Sequence, residues 1–416
     1  MIMELLKINT AGSVDDGKST LIGRFLNDHN ALTVEQEELI RQKTKEKGLA
    51  DLDYSVITDG LIAEREQGIT IDVAHIYFSS QTRKFIIADS PGHVEYTRNM
   101  VTGASNSDLS IILIDARKGL LEQTHRHYFI SRLLRLESVI FCINKMDLVD
   151  YSEDVFLNIS IEINKMIEQL EPLRQKISII PISSLKGDNV VFKSNEMPWY
   201  SNETLSEVLH SFDKDILVTE DFRMDVQQVY HVQSKDFTDY RSYAGRISSG
   251  ILKKGDGVYV LPSGKKSEVV EIRKFKTVLE EARKGDSIQI RLKDDIDISR
   301  GMMFVKEQKE FLWEKELQAK IVWLDEKPLN QAVKYHIQSG SRLQACKVQE
   351  IVDLIKPEYP LDKQETAQIK LNDIATVRFR LANPLYLDKF SENKQNGAFI
   401  LIDQQTNNTV AVGFVE

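Results

Sequence analysis

The sequence predicts an α/β domain with a doubly wound, mostly parallel sheet, followed by two small antiparallel β-barrels. In the first half, apolar strands alternate with segments whose apolar residues recur at helical spacing, which is the pattern of βαβ units. After about Asp221 the helical pattern ends, and short alternating runs separated by glycines follow. A polar stretch at 306–310 divides these runs into two sets. We therefore expect domains at residues 1–220, 221–310 and 311–416.

The first domain is expected to alternate strands and helices, because runs of Ile, Leu and Val precede segments with apolar residues three or four apart. The expected strands are Leu5–Ala11, Ile71–Phe78, Lys84–Ala88, Leu109–Asp115, Ser138–Asn144 and Ile177–Ile182. The expected helices are Lys18–Asn27, Tyr96–Gly103, Gln123–Leu136, Glu153–Leu170 and Thr204–Phe212. In such a sheet, ligands bind at the carboxyl ends of the strands, so the loops that follow them are the candidates for function.

The remaining sequence alternates apolar and polar residues in short runs, with Gly250, Gly255 and Gly264 at breaks between them. Strands of the first barrel are expected at Val226–Val232, Tyr243–Ser248, Gly257–Leu261 and Ser287–Leu292. Strands of the second are expected at Leu317–Leu324, Val333–Gln338, Cys346–Leu354, Ile374–Leu381, Phe399–Asp403 and Thr409–Val415. Two closed sheets of this kind account for the second half of the chain.

Composition restricts the classes of partner. The chain has 54 Lys and Arg against 63 Asp and Glu, a net charge of −9, whereas a nucleic-acid binder usually carries a basic surface, so we expect no nucleic-acid partner. Two cysteines, Cys142 and Cys346, are too few for a disulfide framework or a zinc site. Residues 1–10 are too polar for a signal peptide, and no apolar run reaches the length of a membrane span. We expect a cytoplasmic protein without a membrane partner.

The run Gly12–Ser19 fits the phosphate-binding pattern G-x-x-x-x-G-K-[ST] at every position. It lies between an expected strand and an expected helix, whose N-terminus attracts phosphate. Lys18 is expected to reach the β- and γ-phosphates, and the Ser19 hydroxyl to bind Mg²⁺. Taken alone, the loop also fits an ordinary glycine-rich turn. The residues expected to contact the nucleotide here are Gly12, Ser13, Val14, Asp15, Asp16, Gly17, Lys18, Ser19 and Thr20.

A second loop follows the apolar run 85–88 and begins with an acidic residue, Asp89. Its carboxylate is expected to hold the Mg²⁺ shell, and the amide of Gly92 to contact the γ-phosphate. This loop contributes Asp89, Ser90, Pro91, Gly92 and His93 to the expected nucleotide site.

Two later loops predict the base. Asn144, Lys145, Met146 and Asp147 follow a buried strand, and an Asp carboxylate accepts two hydrogen bonds from guanine that adenine cannot donate. Ser183, Ser184 and Leu185 follow the next strand and are expected to close over the guanine O6. Because each motif falls at the end of a strand and in this order, the sequence predicts a GTP-binding switch that uses Mg²⁺.

The segment 59–71, between the phosphate loop and Asp89, is highly charged and then turns apolar. Thr70 is placed to bind Mg²⁺ when a γ-phosphate is present, which would order this segment until hydrolysis releases it. An ordinary helix end capped by Gly68 fits the spacing equally well. The expected metal ligands are therefore Ser19, Thr70 and Asp89.

These motifs resemble those of the translation-factor class of GTPases. A narrower resemblance, from about Leu5 to the C-terminus, is to the large, GTP-hydrolysing subunit of bacterial sulfate adenylyltransferase. It rests on GSVDDGKST at 12–20, AEREQGITIDV at 63–73, YTRNMVTGAS at 96–105, DARKG at 115–119, MPWY at 197–200 and DDIDISRG at 294–301. Translation factors usually have His at the position of Asp16. Ser90 and Val94 stand where Thr and Glu are usual, which removes no phosphate or metal ligand.

The resemblance implies one subunit of a heterodimeric activation enzyme. A separate small, adenylyl-transferring subunit would join ATP and sulfate to give adenosine 5′-phosphosulfate and pyrophosphate, and this chain would couple GTP hydrolysis to that uphill step. Consistently, the chain has no S-G-G-x-D-S loop for adenylyl transfer. Some members of the family carry a fused C-terminal adenylylsulfate kinase; the sequence given contains none, so that kinase is expected to be a separate protein.

The resemblance also implies catalytic roles for His93, Lys18 and Thr70. His93 matches the histidine that orients or polarises the attacking water in this class, and a helix-capping or packing histidine is the alternative. A tRNA- or ribosome-binding translation factor and a non-hydrolysing scaffold are the competing functions. Asp16, the MPWY run and the net charge favour the subunit of the sulfate enzyme. The intact Lys18, Thr70, Asp89 and His93 argue against a scaffold.

Overall fold

The computed structural model describes residues 3–46, 48, 51–57, 74–90, 97–214, 221–234, 237–306, 315–357 and 368–416. These residues divide into two compact units, one made of the described residues up to Lys214 together with Pro357, and the other of the remaining described residues. In the described part of the chain, no helix is both long enough and apolar enough to cross a membrane. The expected domain boundaries after residues 220 and 310 lie outside the described residues and stay predictions.

A six-stranded sheet forms the centre of the first unit. Its strands are β1 (Glu4–Ala11), β2 (Ala74–Ser79), β3 (Arg83–Asp89), β4 (Leu109–Asp115), β5 (Ser138–Asn144) and β6 (Lys176–Pro181). Their order is β2-β3-β1-β4-β5-β6, with β2 antiparallel to β3 and every other neighbouring pair parallel. The predicted mostly parallel sheet is confirmed.

The helices of this unit occupy the expected places between the strands, with one addition. They are α1 (Lys18–Asp28), α2 (Val34–Glu46), α3 (Thr97–Ser105), α4 (Glu122–Leu133), α5 (Glu153–Glu168) and α6 (Leu205–Ser211). Short 3₁₀ helices lie at Tyr54–Ile57 and Met146–Val149. The sequence did not predict α2, because it buries only Ile40 and Thr44 and so lacks the apolar stripe that marks a packed helix.

The core fixes where the loops lie. Every residue of β4 and β5 is buried, as expected for strands covered on both faces, and both strands read as continuous apolar runs. Leu21, Ile22 and Phe25 of α1 pack in one cluster with Leu6 and Ile8 of β1. This packing holds the N-terminus of α1 at the carboxyl edge of the sheet, directly after β1.

The second unit begins with a closed antiparallel barrel. Its ring follows the order β11-β16-β7-β9-β15-β12 and returns to β11; β8 and β13 pair on the outside with β9 and β12, and β10 pairs with β14. The strands are β7 (Arg223–Asp225), β8 (Gln228–Ser234), β9 (Phe237–Ser249), β10 (Ile251–Lys253), β11 (Gly257–Leu261), β12 (Lys265–Lys274), β13 (Thr277–Leu279), β14 (Glu281–Arg283), β15 (Ser287–Leu292) and β16 (Met303–Val305).

A second closed barrel follows, in the order β17-β20-β19-β18-β21-β22. Its strands are β17 (Glu316–Trp323), β18 (Lys334–Ser339), β19 (Arg342–Ile355), β20 (Ile374–Leu381), β21 (Ala398–Asp403) and β22 (Thr409–Val415). The two predicted barrels are confirmed. The strands that the sequence missed in the first barrel include β10, β13, β14 and β16, each of three residues, which is too short to show a period of two.

A buried ionic cluster joins the two barrels. The guanidinium of Arg342, at the start of β19, is 5% exposed, and its Nη2 lies 3.6 Å from Asp225 Oδ1 at the end of β7. The same guanidinium donates to the carbonyl of Tyr386 and to Asn396 Oδ1. The hydrogen bonds thus hold the guanidinium within the second barrel, and its ion pair with Asp225 crosses to the first.

Asp388 extends the cluster. Its carboxylate accepts hydrogen bonds from Asn396 Nδ2 at 2.8 Å and Asn393 Nδ2 at 3.0 Å, and lies 3.4 Å from Arg223 Nε of the first barrel. Asn393 Nδ2 also donates to Ser249 Oγ at 3.3 Å. Charges on both sides are thus paired across the junction, which is the condition for burying them.

Replacing Arg342 by Met should destabilise the second unit by about 3–5 kcal/mol near neutral pH, because Asp225 loses its buried cation. Burial raises the pKa of Asp225 already in the parent protein. When folding raises the pKa of a carboxyl group, the folded protein becomes less stable as the pH rises through that pKa. The stability lost in Arg342→Met should therefore be smaller at acidic pH. Thermal unfolding at about pH 5 and about pH 8 measures both effects.

The control is the double variant Arg342→Met/Asp225→Asn, in which no buried charge is left behind at this contact. It should recover most of the lost stability. Equal losses in the single and double variants, at both pH values, would contradict the assignment.

Candidate functional site

The phosphate-binding loop connects β1 to α1, where the sequence places it. Gly17 precedes the helix in the left-handed region, with φ of 94°, and Asp15 also has a positive φ of 67°. A Cβ atom on Gly17 would lie 2.5 Å from Asn144 Nδ2, so only glycine fits this close approach. Because the N-cap residue is this glycine, it supplies no side chain to the first amides of α1, which are the groups that bind anions at a helix N-terminus.

Lys18 lies inside this loop. Its side chain is buried, and Nζ donates to the carbonyls of Gly12 at 2.8 Å and Ser13 at 3.2 Å. Burial lowers the pKa of Lys18, while the negative charges of Asp89 and Asp16 act in the opposite direction. The structure therefore holds a buried ammonium at the N-terminus of α1, where an anion is favoured.

Asp16 shapes the same loop from within. Its Oδ2 accepts the backbone N–H of Ser13 at 2.7 Å, and burial is the main cause that raises its pKa. Asp16 Oδ1, Ser13 Oγ and Ser184 Oγ are buried atoms for which the described residues supply no hydrogen-bond partner. Buried polar atoms are rarely left unpaired, so these three atoms fit a polar ligand at this edge of the sheet.

Asp89 ends β3 next to β1, and its Oδ1 accepts a hydrogen bond from Thr10 Oγ1 at 2.9 Å. Ser90 follows and donates from Oγ to Asn9 Oδ1 at 2.6 Å. Both side chains are fully buried, so β1 holds the start of this loop rigidly. Of the expected metal ligands, Ser19 is half-buried at the start of α1 and Asp89 lies on the neighbouring strand.

Other expected residues of this part of the site lie outside the described residues: Thr70, Pro91, Gly92 and His93. Their roles stay predictions. Among the described residues no group of three or more His, Cys, Asp or Glu side chains could hold a metal ion by itself.

Asn144 joins the phosphate loop to the predicted base loops. Its Nδ2 donates to the carbonyl of Asp16 at 2.7 Å, and its Oδ1 accepts the backbone N–H of Ser184 at 2.9 Å. Asn144 is 1% exposed, so both bonds are shielded from water. One amide side chain thereby sets the spacing between loops that are 128 and 40 residues away in the sequence.

Asp147 and Ser183, both predicted to contact guanine, are hydrogen-bonded to each other. Ser183 Oγ donates to Asp147 Oδ1 at 2.6 Å and accepts the backbone N–H of Lys186 at 3.1 Å. The Asp147 carboxylate is half-buried and thus presented at the surface of the site. Leu185, also expected here, has its carbonyl bound by Arg24 Nη1 of α1 at 3.2 Å.

Met146 and Lys145 have different surroundings. Met146 is fully buried, and its backbone N–H donates to the carbonyl of Ile182, so its side chain supports the loop from the core. Lys145 adopts a left-handed φ of 66° and donates from Nζ to the carbonyl of Asp15.

Val14 and Thr20, the remaining expected residues of the phosphate loop, are half-buried in or beside it.

The sequence analysis did not single out two buried titratable residues near this site, Asp115 and His127. Asp115 ends β4 with its carboxylate buried, and Arg117 binds it through Nη2 at 2.6 Å. Asp115 could have been found by the rule that marked Asp89, an acidic residue that ends a buried strand. His127 of α4 is buried as well, and burial lowers its pKa to about 3, with the charge of Lys18 acting in the same direction.

Comparisons with known proteins agree with these features. The family model of the elongation factor Tu GTP binding domain matches residues 3–356, and the model described as GTP-eEF1A C-terminal domain-like matches residues 316–416. Sulfate adenylyltransferase subunit 1 of Bacteroides fragilis (strain YCH46) is 43% identical to this chain, and the alignment covers 99% of this chain and 86% of that protein. The protein of the same name from Colwellia psychrerythraea is also 43% identical, covering 99% and 88%.

Replacing Asp147 by Asn should change the base that the site accepts. The amide pairs with the 2-oxo group of xanthine but not with the exocyclic amine of guanine, so GTP affinity should fall by about 100-fold or more while xanthosine triphosphate gains. Titration of both nucleotides measures the exchange. Asp150→Asn, in the same loop but exposed, is the matched control and should bind GTP like the parent. Unchanged GTP affinity in Asp147→Asn would remove the guanine assignment.

Proposed function

This chain belongs to the sulfate adenylyltransferase subunit 1 family and contains an elongation factor Tu GTP-binding domain, and we propose that it is the GTP-hydrolysing, energy-coupling subunit of a sulfate adenylyltransferase. The observation that carries this proposal is the Asn144 bridge, which holds the phosphate loop and the base loop in one site. A guanine nucleotide has phosphates and a base at opposite ends, so it needs both loops at a fixed separation.

In this proposal each loop contacts one part of the nucleotide. The amides of Gly12–Ser19 and the Lys18 ammonium bind the phosphates, and Asp147 with Ser183 and Ser184 binds the guanine edge. Mg²⁺, held by Ser19, Thr70 and Asp89, would neutralise phosphate charge when bound. The residues that hold Lys18, Asp89 and Asn144 in place support this assignment, because they fix these groups before any ligand arrives.

His93 is proposed to orient or polarise the attacking water, and Thr70 to respond to the γ-phosphate. Both roles come from the motifs D-S-P-G-H and R-E-Q-G-I-T. In phosphoryl transfer most of the catalysis is positioning and charge stabilisation, so a water-positioning side chain acts together with Lys18 and Mg²⁺ rather than alone.

The name subunit 1 of the relatives indicates a second subunit, and we propose an adenylyl-transferring small subunit as this chain's partner. That partner would form the bond between a sulfate oxygen and the α-phosphorus of ATP, with pyrophosphate leaving. The product anhydride is high in energy, which is why a second nucleotide hydrolysis is useful. The free, buried Cys142 and Cys346 suit a reducing cytoplasm.

His93→Ala should leave GTP binding nearly intact and slow hydrolysis by about 10²–10⁴-fold, as expected for the loss of a water-positioning group. Lys18→Ala should instead weaken binding, because its ammonium is the buried cation of the phosphate loop. Equilibrium binding and single-turnover hydrolysis, measured on both variants, separate the two roles. Hydrolysis at the parent rate in His93→Ala would show that His93 packs or caps a helix.

Coupling is tested by mixing the chain with an adenylyl-transferring small subunit, ATP and sulfate. GTP hydrolysis should rise above the rate of the chain alone, and adenosine 5′-phosphosulfate should accumulate beyond its GTP-free equilibrium. A non-hydrolysable GTP analogue should not support the extra accumulation, because the free energy comes from hydrolysis. Following product formation and GTP loss together in one assay gives the coupling directly.

Ribosomes and aminoacyl-tRNA serve as the parallel arm of this assay. The net charge of −9 and Asp16 in the phosphate loop favour no response to them. Stimulation by ribosomes, with indifference to ATP, sulfate and the small subunit, would assign the chain to translation instead.

A further inference from the structure

A buried carboxylate lies beside the predicted guanine loop and takes no part in the site as described so far. Asp115 is the last residue of β4 and pairs in register with Asn144, the last residue of β5. Its side chain is 0% exposed. Oδ1 accepts two hydrogen bonds from Arg117, from the backbone N–H and from Nε, each at 3.0 Å. Oδ2 lies 2.6 Å from Arg117 Nη2 and 3.0 Å from Lys145 Nζ.

Lys145 is therefore held at its tip by two groups. Its ammonium contacts the Asp115 carboxylate and also donates to the carbonyl of Asp15 in the phosphate loop. Its stem runs close to the same loop, since a Cβ on Gly17 would lie 4.0 Å from Lys145 Cε. Two residues later the chain presents Asp147. The anchored stem thus lies beside the phosphate loop.

Burial and the two neighbouring cations have opposite effects on the pKa of Asp115. Burial acts to raise the pKa of the Asp115 carboxyl, but the hydrogen bonds from Arg117 and Lys145 outweigh it and hold that pKa well below its usual range. Asp115 is therefore ionised at neutral pH. Its two cations differ in exposure, at 45% for Arg117 and 22% for Lys145, so the contact to Lys145 is the better shielded of the two.

A lysine side chain has many rotamers, and fixing it on binding opposes association. An anchor that fixes the ammonium beforehand removes that cost from the binding step. We propose that Asp115 is a positioning residue for the guanine nucleotide, which acts by holding Lys145 so that its stem is in place beside the base. This inference rests on the proposed GTP site and adds a residue to it that does not contact the ligand.

The test is a double-mutant cycle between Asp115→Asn and Lys145→Met in the full chain, with a fluorescent GDP analogue as the probe. Asp115→Asn should raise the dissociation constant by about 10-fold, as expected for a misplaced binding group. In the Lys145→Met background, Asp115→Asn should have no further effect, because its action passes through the ammonium. The preference for guanine over xanthine should stay as in the parent.

Asp108→Asn is the matched control. Asp108 precedes β4 at the opposite edge of the sheet, and its Oδ2 lies 2.8 Å from Lys214 Nζ, so the variant breaks an ion pair of the same kind away from the site. It should bind the probe like the parent. Arg117→Ala should change affinity by less than about 3-fold, because it leaves the pair of Asp115 and Lys145 intact.

Several results would overturn the proposal. Unchanged or tighter binding in Asp115→Asn would mean that its negative charge only repels the phosphates. Additive losses in the cycle, or a loss in Arg117→Ala as large as in Asp115→Asn, would mean that Asp115 acts on loop structure and not through Lys145. If Asp115→Asn does not fold, full affinity in Lys145→Met decides against the proposal. Failure of the parent chain to bind the probe would instead reject the proposed GTP site.

Discussion

The side-chain amide of Asn144 is the contact on which the geometry of the site depends. It reaches from the end of β5 to the carbonyl of Asp16 on one side and to the N–H of Ser184 on the other. Three loops that belong to different βα units are thereby held at fixed distances, although no strand pairing connects their tips. An apolar residue at this position would leave a buried carbonyl and a buried N–H unpaired, a penalty of about 1–3 kcal/mol for each. Gly17 belongs to the same contact, because any side chain there would displace the amide.

Buried charged residues lie close to this bridge, although burying charge contributes little to the stability of a loop. Asp16 and Lys18 lie two residues apart, and burial raises the pKa of Asp16 and lowers the pKa of Lys18. Such an arrangement contributes little to folding, because the loss of hydration offsets much of the attraction between charges. Its use is electrostatic: a fixed ammonium and free helix amides in a poorly hydrated loop interact far more strongly with phosphate than the same groups would in water.

The sequence predicted the strands of the first unit well because their apolar runs are long, and it predicted the phosphate and base loops because each follows such a run. It missed α2, whose surface is polar, and the three-residue strands of the first barrel, which show no period. It also missed the relation between Asp115 and Lys145. The contact between these two residues depends on the register of β4 with β5, which cannot be predicted from either residue alone. The same holds for Arg24, which binds the carbonyl of Leu185 across 161 residues. Contacts between side chains that are far apart in the sequence can be predicted only once the fold is known.

The junction between the barrels combines apolar packing with buried charge. Each barrel closes around its own apolar cluster, and Leu261, Met303 and Val305 of the first barrel form a further cluster with Tyr386 of the second. Two ion pairs also cross the junction, Arg342 with Asp225 and Arg223 with Asp388. Buried ion pairs of this kind add little net stability but penalise every alternative docking, since a shift leaves a charge unpaired.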